Sequence, residues 1–236
     1  MSKNQNSIAR RAFVTGAGAA TAALAAAAGR ARAGEADSPP ARWQPTFENL
    51  DAWMDLPGRH RFVFDCASAT GAGDGVEFAD AYFRANQSGY QLAPSDLAVI
   101  LILRHYATVF AYDDRIWAKY GAEFSKMLKF TDPKTKAAPV RNVYLNDEES
   151  DAEKKDKKKE NTATLAALAQ KGVHFAVCGL ATQGIADHLA GKDKARAADI
   201  HAELVAAMIP NGHLTAAGIV ALNRTQEHGY AIAHMG

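Results

Sequence analysis

The chain of 236 residues contains 48% hydrophobic and 22% charged residues, which is typical of a globular protein with a substantial core and excludes a mainly disordered chain. Its formal net charge is +1, but residues 1–33 hold five basic residues and no acid, so the remainder carries about −4. This mildly acidic body lacks a basic stripe interleaved with aromatic residues, and we expect no nucleic-acid partner.

The amino-terminal segment has the layout of an export signal. Arg10-Arg11 precedes a weakly hydrophobic stretch of Ala, Gly and Thr over 14–29, and small residues ending at Ala33 suit a signal peptidase. We predict a twin-arginine signal peptide over 1–33 and a periplasmic mature protein. A membrane anchor is the alternative, but spanning a bilayer takes about 20 strongly apolar residues, so we expect no stable membrane insertion after cleavage.

A lead-in over 34–59 comes before the first strand, which the apolar run predicts over 61–66. The small residues of 69–75 indicate a turn, and the apolar spacing that follows predicts a helix from 76 to the Asn-Gln-Ser-Gly of 86–89.

The second strand is the clearest, because 97–103 is a continuous apolar run of the kind that a strand covered on both faces requires. Arg104 and His105 follow it directly, and a helix is predicted over 113–129. Twelve of the fourteen residues of 147–160 are charged, which predicts a solvated insertion loop.

Helices and strands continue to alternate in the rest of the chain. We predict helices over 163–170, from near 181, over 195–208 and over 218–227, with strands over 173–178, 213–216 and 230–234. Strands alternating with helices indicate βαβ units. The predicted fold is therefore a three-layer α/β/α domain over 60–236 with a mostly parallel sheet of about five strands.

In an open parallel sheet, ligands bind beyond the carboxyl ends of the strands. This rule selects the following candidates: Cys66, Arg104 with His105, Cys178, and Asn211 with His213.

Cys178 is the preferred catalytic candidate, because a thiol between a strand and a helix start meets unpaired backbone N–H groups and the positive end of the helix dipole. Arg104 could lower the thiol pKa and hold an anionic sulfur compound, or it could form a structural ion pair. His105 could orient a substrate, act as acid or base, or serve only the framework. A buried, unreactive Cys178 is the competing interpretation.

Cys66 could be a resolving or disulfide partner of Cys178, or a bystander, and the sequence does not supply the distance that decides this. The eight histidines lack a metal-ligand motif, and we expect neither a metal nor a cofactor. Arg224 and Gln226 in the last helix are weaker candidates, which could instead serve packing or subunit contacts.

Two blocks of the sequence carry a family resemblance. The strand-Cys-helix block 172–182 and the Arg224-x-Gln226-x-x-Gly-Tyr element resemble segments of the DsrE/DsrF-like sulfur-relay family. With 61–66 and 97–105, the similarity covers most of 60–236 apart from the charged insertion. The resemblance implies a DsrE-like fold, trimers or hexamers, and a cysteine, here Cys178, that carries sulfur as a persulfide.

The resemblance therefore predicts an exported sulfur carrier or sulfurtransferase-like protein, with donor and acceptor proteins or small sulfur compounds as partners. Relay members usually work in the cytoplasm, so cytoplasmic tRNA thiolation is not assumed for a chain with an export signal. The alternatives are a non-catalytic small-ligand-binding module and an interaction subunit of a periplasmic redox or sulfur system, in which the charged loop contacts a partner.

Overall fold

A computed structural model describes residues 51–146 and 163–236, all within one compact unit. Its strands are β1 (His60–Cys66), β2 (Leu97–Leu103), β3 (His174–Cys178), β4 (Gly212–Thr215) and β5 (Ala231–Met235). Its α-helices are α1 (Ala69–Tyr90), α2 (Asp114–Leu128), α3 (Leu165–Gln170), α4 (Gly179–Ala190), α5 (Lys194–Ala206) and α6 (Gly218–Glu227). The predicted signal peptide 1–33 and insertion 147–160 lie outside the described residues, as does most of the lead-in.

The five strands form one parallel sheet in the order β4-β3-β2-β1-β5. The first three connections each move one strand further along the sheet, and the last returns from β4 to β5 across its whole width. Because such crossovers are right-handed, α1 to α5 cover one face and α6 covers the other. This confirms the predicted three-layer α/β fold.

The middle strand β2 shows why the sheet forms, because all seven of its residues are buried. Val99, Leu101 and Leu103 face the layer of α1 to α5, whereas the alternate residues Ala98, Ile100 and Ile102 face α6. A continuous apolar run is therefore what a strand between two layers needs.

Few of the described residues cover the α6 face of the sheet. Besides α6, the core on this side consists of a short segment around Met54 and Leu56 together with Tyr230, whose hydroxyl donates to the carbonyl of Met54 at 2.7 Å. Arg61 donates to the carbonyls of Met54 and Leu56 at 3.2 and 2.9 Å. These bonds tie the chain before β1 to the sheet.

The predicted turn over 69–75 was wrong, because α1 already begins at Ala69. Ser68 caps the helix by accepting a hydrogen bond from the backbone N–H of Gly71 at 2.9 Å. Glycine is required at 71 because a Cβ there would lie 2.5 Å from the carbonyl oxygen of Met235. The small residues thus allow α1 to pack closely against β5, and they do not form a turn.

Directly after β2, a 3-10 helix over His105–Ala111 also went unpredicted. Within the part of the chain that the structure describes, no helix combines the length and apolarity needed to cross a bilayer.

Candidate functional site

Polar side chains and one thiol lie in two rows near the carboxyl edge of the sheet. Asp65 on β1 is level with Ile102 and His234, and two residues further along the strands Arg104 is level with Cys178 and Thr215. Asp65 pairs with His234, Cys178 pairs with Thr215, and the pairing of Leu103 with Val177 puts Arg104 level with Cys178. Because alternate residues of a strand share a face, all five positions belong to the α6 side of the sheet.

Cys178 ends β3 and is also the N-cap of α4. Its Sγ accepts a hydrogen bond from the backbone N–H of Ala181 at 3.4 Å, and only 7% of the residue is exposed. The sulfur thus meets a backbone N–H at the amino-terminal end of a helix, which carries the positive end of the helix dipole. The structure therefore places Cys178 where the sequence predicts it.

Two buried hydroxyl groups form hydrogen bonds at the first turn of α4. Thr182 donates from Oγ1 to the carbonyl of Cys178 at 2.9 Å, and the Tyr112 hydroxyl lies 2.8 Å from the same Oγ1. Burial raises the pKa of Tyr112, and the nearby charge of Cys178 adds to this rise. These hydrogen bonds hold the backbone of Cys178 and the first turn of α4 in place.

Arg104 is anchored by Asp65 through a two-pronged ion pair. Nε donates to Oδ1 at 2.6 Å and Nη2 donates to Oδ2 at 2.8 Å, with 2% of Asp65 exposed. This bond raises the pKa of Arg104 above its ordinary value, and the charge of Cys178 contributes in the same direction. Arg104 is thus a framework residue whose backbone is level with Cys178 and whose guanidinium is held towards β1.

His234 makes the second contact with the same carboxylate. Its Nδ1 lies 2.8 Å from Oδ2 of Asp65, while 56% of the His234 side chain is exposed. Burial alone raises the pKa of Asp65, but the hydrogen bonds from Arg104 and His234 outweigh burial and hold that pKa below its ordinary value. Asp65 therefore stays ionised at neutral pH.

The sequence analysis missed both Asp65 and His234. A lone carboxylate inside the apolar run 61–66 is a detectable signal, because a buried Asp requires partners. The identity of those partners depends on which strands flank β1, which the sequence pattern does not reveal.

The start of α6 packs closely against the side chain of Arg104. A Cβ at Gly218 would lie 2.3 Å from Cβ of Arg104, and Ala217 gives the helix no side-chain cap. A Cβ at Gly179 would similarly lie 2.5 Å from the carbonyl oxygen of Thr215. The two helix starts and the Arg104 side chain therefore pack together at one edge of the sheet.

Cys66 lies on the other face. It belongs to the core beneath α1, it is fully buried, and burial raises the pKa of its thiol. Both cysteines are free thiols. Because β2 separates their strands, two spacings of about 4.8 Å divide them, more than the 4.4–6.8 Å that a disulfide allows. Cys66 could be a partner of Cys178 or a bystander, and this geometry fits a bystander.

His105 is exposed, and its backbone has the left-handed φ of 52°. Its ring lies 4.0 Å from that of Tyr106, and no residue of the described ranges forms a hydrogen bond with it. Of the two polar residues that follow β2, Arg104 is thus held at the Cys178 site, whereas His105 turns the chain into the 3-10 helix.

Asn211 was placed wrongly by the sequence analysis, because it precedes β4 rather than following it. It donates to the carbonyls of Ala169 and Val173 at 3.0 and 3.1 Å. His213 is the second residue of β4 and pairs with Ala176, two residues before the pairing of Thr215 with Cys178. Its Nε2 lies 2.8 Å from Nδ1 of His174, at the start of β3 and away from the sulfur.

The polar residues of α6 serve packing. Arg224 is buried and forms ion pairs with Asp51 and Glu227, and Gln226 donates to the carbonyl of Tyr230 at 2.7 Å. Among the described residues, no group of three or more His, Cys, Asp or Glu side chains is arranged to hold a metal ion.

Comparison of the chain with protein-family models, with curated proteins and with solved structures found no match. The fold and the site themselves define an α/β protein that carries one thiol, with a neighbouring arginine, at the carboxyl edge of a parallel sheet.

Proposed function

We propose that the protein is a sulfur carrier or sulfurtransferase-like protein, in which Cys178 accepts sulfane sulfur as a persulfide and passes it to another thiol. The observation that carries this proposal is the position of the Cys178 sulfur. It caps α4 at the edge of the sheet where ligands bind, and Arg104 stands level with it on the neighbouring strand.

The proposed transfer consists of two displacements. In the first, the Cys178 thiolate attacks the outer sulfur of a persulfide donor, a bond forms between the two sulfurs, and the donor leaves as its own thiolate. In the second, an acceptor thiolate attacks the outer sulfur of the Cys178 persulfide, and Cys178 leaves as a thiolate. One sulfur atom moves and no external oxidant or reductant is consumed.

The surroundings of the sulfur suit both steps. The N–H of Ala181 donates to the Cys178 sulfur, and a thiolate at this position would be the nucleophile in the first step and the leaving group in the second. Only 7% of Cys178 is exposed, so little of its surface is open to a donor. This access favours a small sulfane-sulfur compound or a protruding cysteine of a partner protein.

Mass spectrometry after loading with inorganic polysulfide tests the proposal. We expect the peptide that contains Cys178 to gain the mass of one sulfur atom, and we expect Cys178→Ser to abolish this gain. Cys66→Ser is the matched control and should load normally. Undiminished loading of Cys178→Ser, or loading only on Cys66, would defeat the assignment.

A non-catalytic anion-binding module is the second candidate. It is favoured by the start of α6, which lacks a side-chain cap and packs against Arg104. In this case alkylation of Cys178 with a small reagent would leave the affinity for sulfate unchanged. Loss of sulfate binding on Arg104→Gln, together with absent persulfide formation, would favour this candidate over the sulfur carrier.

The proposal includes export to the periplasm and a homo-oligomer, a trimer or hexamer, as the DsrE resemblance implies. Exposed apolar side chains on the α6 face, Ile219, Val220 and Ile232, support association through that face. Light scattering on the purified protein measures its mass. A monomer at micromolar concentration would remove this part of the proposal.

An interaction subunit is the third interpretation, with the charged residues 147–160 contacting a redox partner. Deleting this segment should abolish capture of a partner if the interpretation holds, and it should leave sulfur loading of Cys178 unchanged if the sulfur-carrier proposal holds.

A further inference from the structure

Cysteine is a weak cap for a helix, because its sulfur is a poorer hydrogen-bond acceptor than the side-chain oxygen of Ser, Thr, Asp or Asn. Cys178 nevertheless occupies the N-cap position of α4, where its Sγ accepts from the N–H of Ala181 at 3.4 Å. A single bond to a weak acceptor fixes a helix start poorly. The place of the sulfur therefore depends on what else holds the junction of β3 and α4.

A chain of two hydroxyl groups ends at the backbone carbonyl of Cys178. Oγ1 of Thr182 lies 2.9 Å from that carbonyl oxygen and 2.8 Å from the hydroxyl oxygen of Tyr112, and both residues are fully buried. A carbonyl oxygen cannot donate, so Thr182 uses its one hydroxyl proton there, and the proton between the two hydroxyl oxygens comes from Tyr112. The chain of donors thus runs from Tyr112 through Thr182 to the carbonyl.

Tyr112 is itself anchored in the core. The side-chain amide of Asn142 donates to the backbone carbonyls of Tyr112 and Phe110 at 2.9 and 2.8 Å, and Tyr112 forms an isolated β-bridge with Met208. Burial raises the pKa of Tyr112, so its hydroxyl keeps its proton and remains a donor. The first turn of α4 is therefore attached to a well-anchored part of the protein.

We propose that Thr182 and Tyr112 are positioning residues for the Cys178 site. Their hydrogen bonds fix the first turn of α4, so that the sulfur stays at the N–H of Ala181. This inference rests on the proposed function, because it concerns the sulfur that is proposed to carry the persulfide. Thr182 acts through the carbonyl of Cys178 and Tyr112 acts through Thr182, so neither touches the reacting atoms.

Two substitutions of Thr182 separate positioning from packing. Thr182→Val keeps the branched shape of the side chain and removes the hydroxyl group. Thr182→Ser keeps the hydroxyl group and removes a buried methyl group. If Thr182 only fills space, serine disturbs the Cys178 site more than valine does, whereas a positioning role predicts the reverse.

The rate of alkylation by iodoacetamide, measured against pH, reports on the sulfur. All variants and the reference protein carry Cys66→Ala, so that only Cys178 reacts. The plateau of the rate depends on the exposure of the sulfur, but the pH of half-maximal rate depends on the groups that contact it. A hydrogen bond donated to a charged acceptor is stronger than one donated to its neutral form, so loss of the Ala181 bond moves this midpoint to higher pH.

We expect Thr182→Val to raise the midpoint by about 0.5–1 pH unit, which corresponds to the loss of one hydrogen bond. Tyr112→Phe should raise it by less, because Thr182 keeps its bond to the carbonyl and loses only the donor that orients it. Thr182→Ser should keep the midpoint of the reference protein. Tyr112→Phe also keeps the proposal testable if Thr182→Val does not fold.

Thr108→Val is the matched control. Thr108 is fully buried, and its Oγ1 donates to the carbonyl of Leu103 at the end of the neighbouring strand β2, at 3.2 Å. Unfolding by urea measures the stability of each variant, and we expect Thr108→Val to lower the stability without moving the midpoint. An unchanged midpoint in both Thr182→Val and Tyr112→Phe, or an equal shift in Thr182→Ser or Thr108→Val, would overturn the proposal.

Loading of the same proteins with inorganic polysulfide separates this inference from the function on which it rests. A shifted midpoint in Thr182→Val, together with no sulfur gain in the reference protein, would reject the sulfur carrier and leave the positioning role intact. Normal loading with an unshifted midpoint would reject the positioning role and leave the sulfur carrier intact.

Discussion

Cys66 and Cys178 end parallel strands at the same edge of the sheet, but their positions belong to opposite faces. Cys66 is fully buried beneath α1, and its Sγ lies 3.7 Å from the carbonyl oxygen of Phe64. Cys178 caps α4, and its backbone is level with that of Arg104 at the end of the neighbouring strand. Both thiols follow a short apolar run in the sequence, but the folded protein gives them different surroundings.

Selective alkylation of one thiol follows from this difference. In the native protein at pH 8, iodoacetamide should modify Cys178 at least tenfold faster than Cys66, because burial shields Cys66 and raises its pKa. Cys178→Ser should abolish rapid labelling and Cys66→Ser should preserve it. Protein unfolded in guanidinium is the control, in which both cysteines react. Comparable native rates would contradict the prediction.

Substituting Gly218 tests the packing of α6 against the site. A Cβ at this position would lie 2.3 Å from Cβ of Arg104. We therefore expect Gly218→Ala to lower the free energy of unfolding by about 1–3 kcal/mol and to slow the reaction of Cys178 with iodoacetate.

Gly184 provides the matched control for this substitution. It lies inside α4, and a Cβ there would meet no atom within 4 Å. Gly184→Ala should raise the free energy of unfolding by about 0.5–1 kcal/mol, since alanine favours the helix. Denaturant titration measures both variants, and equal effects at 218 and 184 would contradict the packing argument.

Asp65→Asn should remove an acid-sensitive part of the stability. The pKa of Asp65 is lower in the folded than in the unfolded chain, so its ion pairs stabilise the fold above the unfolded pKa of about 3.9. That contribution is lost as the pH falls through the lower, folded pKa. At neutral pH we expect the substitution to cost about 2–3 kcal/mol, because it breaks a buried pair whose arginine retains some contact with water.

Unfolding by urea at several pH values checks this prediction. The difference in free energy of unfolding between wild type and Asp65→Asn should be largest at neutral pH and should shrink as Asp65 becomes protonated. A difference that is constant down to pH 2 would show that the carboxylate charge is not the cause.

The pair of His174 and His213 should bind protons only at an unusually low pH. Burial lowers the pKa of His213 to about 4, the neighbouring His174 adds to the effect, and burial also lowers the pKa of His174. Trp53 stacks on His213, with 4.2 Å between ring centroids. NMR titration of the ring protons should therefore find His213 neutral at pH 5.5.

This pair also makes stability depend on pH with a definite sign. Histidine in the unfolded chain binds a proton near pH 6.5, whereas His213 in the folded chain does not until about pH 4. The free energy of unfolding should fall as the pH drops from 6.5 towards 4, and His213→Gln should weaken this fall. An unchanged pH profile would contradict the assignment.

The fold was predictable because its strands are apolar runs of the right length. The bounds of β2 and α6 agree with the prediction, and the junction of Cys178 with Gly179 marked the strand end that carries the thiol. The pairing of Asp65 with Arg104 was not predictable, since it depends on strand order. The placement of Asn211 failed because a parallel strand has two distinct ends, and Asn211 lies before β4 rather than after it.

The crossing from β4 to β5 makes the last strand a neighbour of the first, so Asp65 meets His234 across nearly the whole length of the domain. A ribosome has to deliver residue 234 before that contact can exist. The surroundings of Asp65 are therefore completed only after residue 234 has been made, and until then β1 has an unpaired edge.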